Sequence, residues 1–255
     1  AMDRSLSPAT EDLPGRLSLL HLERLRHTMC PKQFFRAFCG LPRSGTTAFT
    51  AVINQRPDTF MPFQSPLLEI AYRNYSVWED AGLALETSAA EIQGAQLCFT
   101  RKVVEAFASG CTPKETYVDK HWNWYSPANQ GVFEALYGAP PRIVALERER
   151  GDILESFERA DPGAYQEREE KLDLILSVRS LAPVGSVRAF PYEEWVTHPE
   201  RVLREAESWW GLPPFHYNLS ELHLDTTATD RILGGRDLHK LRPMRPVQGG
   251  HCGSV

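Results

Sequence analysis

Short apolar runs alternate with longer stretches of helical periodicity along the chain. Strands are predicted at residues 34–40, 116–121, 142–148 and 186–192. The first is a short apolar run that ends in a glycine, and the other three are similarly short segments between helical patterns. Helices are predicted where apolar residues recur every three or four positions, at residues 46–55, 89–108, 129–137, 152–159 and 169–181. Strands that alternate with helices indicate an α/β fold, a three-layer sandwich with a mostly parallel central sheet.

One further helix is predicted after the last strand. Thr197 is its expected N-cap, Pro199 lies in its first turn and Gly211 ends it, which follows the usual positions of these residue types at helix ends. The chain contains no internal repeat and no low-complexity linker, so we expect one domain over residues 1–255. Within it, residues 1–33 are an expected N-terminal extension and residues 234–255 an expected C-terminal loop and tail.

Composition and charge narrow the classes of function. The formal net charge is −5 and 24% of the residues are charged, with both signs interspersed, so we expect no nucleic-acid partner. The five cysteines form no CxxC pair, which indicates neither a zinc site nor a dense disulfide framework. No apolar run approaches the ~20 residues of a membrane span, and the N-terminus lacks the apolar core of a signal peptide. We therefore expect a soluble, cytoplasmic protein without a membrane span.

The main chemical signal lies between the first predicted strand and the first predicted helix. The segment GLPRSGTT fits the GxxxxG frame of a Walker A loop, with Thr46 where that loop has its lysine and Thr47 at its Ser/Thr position. Backbone N–H groups of such a loop, together with the N-terminus of the next helix, form a concave anion site. Arg43 adds a positive charge within the loop. The sequence therefore predicts an anion site that lacks the lysine typical of nucleoside triphosphatases.

This loop resembles the 5′-phosphosulfate loop of sulfotransferases that use 3′-phosphoadenosine 5′-phosphosulfate (PAPS). The resemblance rests on the string PRSGTT and on the Arg-Pro-Asp turn at residues 56–58, where the family has a similar turn. It implies that the phosphosulfate is held by five loop residues, namely Arg43, Ser44, Gly45, Thr46 and Thr47. A phosphosulfate carries less charge than a magnesium-bound triphosphate, so amides, hydroxyls and one arginine are sufficient to hold it.

Two further segments resemble the same family. In IVALERERGDILESFERA, Arg148 and Ser156 have the spacing of the family's 3′-phosphate pair, although Glu149 and Arg150 replace its usual Asn-Pro. Near the C-terminus, LGGRDLHKLRP is similar to the loop that closes over the cofactor, and it is basic and hinged by glycines, as expected of a loop that covers an anion. The resemblance implies cofactor contacts from Arg236, Lys240 and Arg242.

Sulfuryl transfer requires in-line positioning, charge stabilisation and removal of the acceptor's proton, and it requires no metal. Lys120 and His121 follow the second predicted strand, and Lys120 with Arg43 would stabilise the transferring group. The family is divided between a histidine base after this strand and a glutamate base about twenty residues after the loop. Here Gln64 occupies that second register and Glu69 lies nearby. His121 is the first candidate for the base, since histidine titrates near neutral pH, and Glu69 is the second.

The implied function is transfer of a sulfuryl group from PAPS to a hydroxyl of a small-molecule, lipid or carbohydrate acceptor, with adenosine 3′,5′-bisphosphate (PAP) as product. Two alternatives stay open. A P-loop kinase or NTPase would bind ATP with magnesium. A non-catalytic nucleotide-binding relative would bind the donor without turnover, because a fold does not guarantee an activity.

Overall fold

A computed structural model of the chain describes residues 35–71, 73, 89–110, 114–160 and 165–222. The strands, numbered in chain order, are β1 (Arg36–Gly40), β2 (Thr59–Phe60), β3 (Thr116–Tyr117), β4 (Asp119–Lys120), β5 (Arg142–Glu147) and β6 (Val187–Pro191). Four of them form a parallel sheet in the order β4–β1–β5–β6, and β2 pairs in parallel with β3 in a second, two-stranded sheet.

The helices lie between and after the strands. They are α1 (Thr46–Ile53), α2 (Ala89–Gly110), α3 (Pro127–Tyr137), α4 (Arg150–Ala160), α5 (Tyr165–Ser180), α6 (Tyr192–Thr197) and α7 (Pro199–Trp210), together with a 3₁₀ helix at Trp122–Tyr125. A short helical segment also begins at Leu67. Among the described residues, no helix has the length and apolar character needed to cross a membrane.

The central sheet is buried on both faces. Ala37 and Cys39 of β1 belong to an apolar cluster that includes side chains of α3, α4 and α5. Phe38, between them, belongs to a second cluster that includes side chains of α1, α6 and α7. Successive strand residues face opposite sides of a sheet, so these two clusters lie on its two faces. The predicted α/β fold, with a parallel sheet between two helical layers, is confirmed.

The predicted strand at residues 116–121 is wrong as a single element. Its first half, β3, pairs with β2, whereas its second half, β4, pairs with β1 through Ala37 opposite Asp119 and Phe38 opposite Lys120. Val118 lies at the change of partner, where its N–H donates to the Phe60 carbonyl at 2.9 Å. The change follows from tertiary pairing, which the apolar pattern of the segment does not encode.

The predicted N-cap of the last helix is also wrong. Thr197 ends α6, a short helix that the sequence pattern did not predict, and its hydroxyl donates to the Glu193 carbonyl at 2.7 Å. His198 is the residue before α7 and makes no side-chain capping hydrogen bond. Pro199 and Gly211 lie at the start and just past the end of α7 as predicted.

Arg56, just after α1, ties this helix to α7. Its side chain is 2% exposed and forms ion pairs with Asp58 at 3.0 Å and with the buried Glu207 of α7 at 2.7 Å. It also donates to the Pro213 carbonyl at 2.8 Å. Burial alone would lower the pKa of Arg56, but the contacts with Asp58 and with Tyr217 together raise it. The arginine of the Arg-Pro-Asp turn therefore has a packing role.

Candidate functional site

The predicted site segments lie at one edge of the sheet. β1, β4 and β5 are parallel neighbours, with Gly40 opposite Leu146 and Phe38 opposite Lys120. Their carboxyl ends therefore open on the same side, where the loop after β1, the 3₁₀ helix after β4 and the start of α4 all begin. This is the edge at which open parallel sheets bind their ligands.

The loop after β1 is anchored to β5 from within. Ser44 is fully buried, and its hydroxyl lies 2.6 Å from the Leu41 carbonyl and 3.0 Å from the Leu146 carbonyl. The Leu41 N–H donates to the same Leu146 carbonyl at 3.0 Å. A hydroxyl has a single proton to donate, and here the proton is directed at backbone carbonyls. The side chain of Ser44 therefore holds the loop in shape.

Two glycines let the loop lie close to its neighbours. Gly45 has φ 81°, and a Cβ there would lie 3.0 Å from Cδ1 and Nε1 of Trp195. A Cβ on Gly40 would lie 2.5 Å from Cγ2 of Thr46. Gly45 precedes α1, whose first turn contains Thr46 and Thr47. The first N–H groups of a helix have no partner within it, so this turn offers donors to an anion.

Arg43, Arg148 and Ser156 come together beside the loop. Arg43 has φ 62°, in the left-handed region that is costly for a side chain other than glycine. Its Nε donates to the Ser156 hydroxyl at 3.0 Å, and Nη1 of Arg148 donates to the Arg43 carbonyl at 2.9 Å. The Arg148 guanidinium lies 4.3 Å from the centroid of the Tyr192 ring, and its buried Nε has no hydrogen-bond partner. A buried N–H group without a partner can donate to an oxygen atom of a bound ligand.

Positive charge accumulates at this point. Burial lowers the pKa of Arg43, and so do the charges of Arg168, Arg148 and Arg159. Within the described residues, neither Arg43 nor Arg148 forms an ion pair with a carboxylate. Two guanidinium ions that form no such pair are suited to phosphate, which arginine recognises through paired N–H donors. The residues present therefore fit a phosphorylated ligand.

Lys120 lies against the first turn of α1. Its Nζ donates to the Thr46 carbonyl at 3.2 Å and to the Thr50 hydroxyl at 3.0 Å, and it lies 4.8 Å from the centroid of the Phe63 ring. Burial lowers the pKa of Lys120 to about 7. The amine therefore changes charge near neutral pH while it holds the helix that carries the candidate anion-binding donors.

Both ring nitrogens of His121 are engaged. Nδ1 accepts the Asn123 N–H at 3.1 Å, and Nε2 lies 2.9 Å from a carboxylate oxygen of Glu69. An Nδ1 that accepts carries no proton, so the proton lies on Nε2 and is donated to Glu69. Burial lowers the pKa of His121, against the effect of the Glu69 carboxylate. His121 is 7% exposed and Glu69 53%, so the carboxylate is the member of the pair that solvent reaches.

Asp119 is a buried acid that sequence reasoning did not select. Its carboxylate accepts from the Trp124 indole N–H at 2.7 Å and from the Tyr117 hydroxyl at 3.2 Å. Burial raises the pKa of Asp119 to about 6, although these hydrogen bonds oppose the shift. The contacts fix the 3₁₀ helix to β4 and thereby orient Lys120 and His121. An aspartate within the predicted strand, directly after Val118, was the available signal.

Three predicted cofactor contacts, Arg236, Lys240 and Arg242, lie outside the described residues. The other predicted donor-binding residues all lie in the loop, in the first turn of α1, between β5 and α4, or in the middle of α4. No group of three or more His, Cys, Asp or Glu side chains that could hold a metal ion occurs in the described part of the chain.

No family model and no curated protein matches this sequence. Among solved structures, the chain is similar to the sulfotransferase domain from the Synechococcus PCC 7002 olefin synthase, at 14% identity and a TM-score of 0.50 over 85% of this chain and 87% of that one. It is also similar to the sulfotransferase domain from the curacin biosynthetic pathway, at 17% identity and a TM-score of 0.48 over 75% of this chain and 79% of that one. A sulfotransferase from Alicyclobacillus acidocaldarius matches at 12% identity and a TM-score of 0.45, over 79% of this chain and 91% of that one. The first of these likenesses shows that the chain has a sulfotransferase fold.

Proposed function

We propose that this protein transfers a sulfuryl group from PAPS to a hydroxyl of a small-molecule, lipid or carbohydrate acceptor. One observation carries the proposal: Arg43, Arg148 and Ser156 converge beside the loop through hydrogen bonds of 3.0 and 2.9 Å. The fold and the names of the similar structures agree with it. A phosphosulfate loop next to a second arginine-rich phosphate site is the arrangement that a nucleotide with both 5′ and 3′ anionic groups requires.

In this proposal the donor is held at two points. Arg148 and Ser156 bind the 3′-phosphate, and the buried Nε of Arg148 gains the acceptor that it lacks. The N–H groups at the start of α1, with the hydroxyls of Thr46 and Thr47, hold the 5′-phosphosulfate. Bound PAPS supplies the sulfuryl group. Lys120 orients the first turn of α1 and, when protonated, stabilises negative charge on the transferring oxygens.

We assign the base to Glu69, the second of the two candidates, and give His121 a positioning role. The reason is that Nδ1 of His121 is occupied by the Asn123 N–H and its Nε2–H is directed at Glu69. Glu69 takes the proton of the acceptor hydroxyl as the acceptor oxygen bonds to sulfur. The bond from sulfur to the 5′-phosphate oxygen breaks, and PAP leaves with that electron pair. Histidine keeps the carboxylate in one orientation by donating from Nε2.

Calorimetric binding of PAP, compared with ATP plus magnesium, tests the donor assignment. Tight binding of PAP and weak binding of ATP are expected. The Arg148→Ala variant should lose about 10- to 100-fold in PAP affinity, the value of a charge-assisted hydrogen bond, and much less for adenosine 5′-monophosphate (AMP). Preference for ATP with magnesium would refute the proposal in favour of a kinase or NTPase. PAP binding without turnover of any acceptor in a broad screen would favour a non-catalytic relative.

A further inference from the structure

Asp119 is connected by hydrogen bonds to both members of the Glu69–His121 pair. Its side chain is fully buried in β4, and each carboxylate oxygen accepts from a different donor. Oδ2 accepts the Trp124 indole N–H at 2.7 Å, and Oδ1 accepts the Tyr117 hydroxyl at 3.2 Å. The two oxygens begin two separate routes, one toward each member of the pair.

The route from Oδ1 leads to the helical segment of Glu69. The Ser65 hydroxyl lies 3.0 Å from the Tyr117 oxygen, and the Leu67 N–H donates to the Ser65 oxygen at 3.1 Å. Since Tyr117 gives its only proton to the carboxylate, Ser65 must be the donor between the two hydroxyls. Leu67 begins the helical segment that carries Glu69, and Ser65 accepts its N–H in the manner of an N-cap. An ionised Asp119 therefore sets the direction of every hydrogen bond up to the start of that segment.

The route from Oδ2 leads to His121. Trp124 is fully buried and belongs to the 3₁₀ helix that directly follows the histidine. Two backbone N–H groups of this helix donate to His121, that of Asn123 to Nδ1 at 3.1 Å and that of Trp124 to the carbonyl at 3.4 Å. Because Nδ1 accepts, Nε2 carries the proton that is directed at Glu69. By holding the indole, Asp119 holds the turn that orients the imidazole.

We propose that Asp119 is a positioning residue for the Glu69–His121 pair. One carboxylate oxygen holds the helical segment of Glu69 through the hydroxyls of Tyr117 and Ser65. The other holds the 3₁₀ helix beside His121. The inference rests on the proposed function, because it concerns the base assigned there. A reacting group keeps a productive geometry only when the residues behind it are themselves fixed by packing and hydrogen bonds, and Asp119 is the residue from which both routes start.

Titration of His121 by NMR in the unliganded protein tests this role. Burial lowers the pKa of His121 and the Glu69 carboxylate opposes that shift, so the midpoint of the titration reports how closely the carboxylate is held. The chain has eight histidines, and the signal that is missing from His121→Gln identifies the right one. Glu69→Gln gives the midpoint without the carboxylate. In Tyr117→Phe, which removes a hydroxyl but no charge at neutral pH, the midpoint should fall part of the way toward that of Glu69→Gln.

Two more variants complete the test. Asp119→Asn keeps the size of the side chain but offers one acceptor oxygen to two donors, so its midpoint should fall at least as far as that of Tyr117→Phe. The matched control is Tyr217→Phe, because the Tyr217 hydroxyl also donates to a buried carboxylate, that of Glu207 at 2.7 Å. Tyr217 packs against the other apolar cluster, on the opposite face of the sheet from Tyr117. The midpoint of His121 in this control should equal that of the wild type.

Turnover and binding should separate in the same variants. With an acceptor found by screening, kcat should fall about 5- to 20-fold in Tyr117→Phe and in Asp119→Asn, the value of one lost hydrogen bond, while PAP affinity stays within about twofold. Tyr217→Phe should leave both quantities unchanged. A loss of PAP affinity as large as the loss of kcat would indicate general damage to the site and would overturn the positioning role.

A wild-type midpoint in Tyr117→Phe would also overturn the inference, even if Asp119→Asn titrates differently, because the carboxylate would then act through its charge and not through position. Equal shifts in Tyr117→Phe and Tyr217→Phe would overturn it as well. The proposed function fails on other results. Wild-type protein that does not bind PAP, or Glu69→Gln with undiminished kcat, refutes the proposed function, and the NMR midpoints still decide whether Asp119 holds the pair.

Discussion

Replacing Arg56 by methionine should strongly destabilise the protein, because it leaves a buried carboxylate without its counter-charge. Arg56 and Glu207 are 2% and 1% exposed, and their ion pair measures 2.7 Å. Without the guanidinium, Glu207 keeps one hydrogen bond, from the Tyr217 hydroxyl at 2.7 Å, and its Oε2 already has no partner. Removing one member of a buried ion pair costs about 3–5 kcal/mol. Typical domains have only about 5–15 kcal/mol of stability in total.

The reverse change should cost less. In Glu207→Gln, Arg56 keeps Asp58, whose two carboxylate oxygens each lie 3.0 Å from guanidinium nitrogens. The arginine therefore retains a counter-charge, whereas Glu207 has no second ion-pair partner among the described residues. The double variant Arg56→Met, Glu207→Gln should be more stable than the sum of the single losses predicts, with a coupling of about 1–3 kcal/mol.

Urea unfolding followed by circular dichroism at neutral pH measures these differences, provided that the slope of the transition is unchanged between variants. The control is Arg201→Met, which removes an arginine from an exposed pair with Glu194 at 2.9 Å. That loss should be no more than about 1 kcal/mol. An Arg56→Met loss as small as the Arg201→Met loss would show that burial does not set the value of the Arg56 ion pair.

Variants at four positions address the site. Glu69→Gln should lower kcat by about 10²- to 10⁴-fold with an acceptor found by screening, while PAP affinity stays unchanged. His121→Gln can still donate a hydrogen bond toward Glu69, so it should retain more turnover than His121→Leu. Equal losses of turnover in these two variants would contradict the positioning role of His121. PAP affinity should rise as pH falls from about 9 through the pKa of Lys120, about 7, because a bound anion favours the charged form of the amine. The Lys120→Met variant should lose this component of the pH profile. An unaltered profile in the variant would show that Lys120 does not contribute to binding of the anion. Gly45→Ala should destabilise the protein more than Gly138→Ala, since both glycines have a positive φ but only a Cβ at Gly45 would meet other atoms within 4 Å. Thermal unfolding of the two variants measures the difference. Equal shifts in Tm would indicate that the side chains around Gly45 move to accommodate the methyl group.

The strand, loop and helix around the candidate anion site could be predicted because their signals are local. Gly40 and Gly45 punctuate the segment, and apolar periodicity marks the elements on either side. The same local reading failed for residues 116–121, where one short segment pairs with two different sheets. It also missed α6, because the aromatic Tyr192 and the cap-like Thr197 each fit a different local pattern better than they fit a short helix.

Most contacts that define the candidate site join elements that are distant in the sequence, and local sequence patterns do not specify such contacts. Arg148 and Ser156 could be predicted as a pair because the resemblance to sulfotransferases includes their spacing within one strand–helix unit. Nothing local places Arg43 next to Ser156, since the two are 113 residues apart in the sequence and meet only through the packing of the loop against α4. The contact between Glu69 and His121 is similar: each was a candidate for the same role, and only their 2.9 Å separation shows that they form one unit.

The close approach of Trp195 to Gly45 has a consequence for the order of folding. Trp195 and Tyr192 of α6 lie against the loop at Gly45, so we expect the loop to lack this support until α6, after the last strand, has docked. β1 likewise accepts a hydrogen bond at the Ala37 carbonyl from Trp210, 173 residues later in the chain. Contacts between residues so distant in sequence form late, because closing a long loop is entropically costly. During synthesis, a chain interrupted before α6 would contain every residue of the anion loop and still lack the surface against which that loop is shaped. Nucleotide binding is therefore expected to appear only once the C-terminal helices have docked.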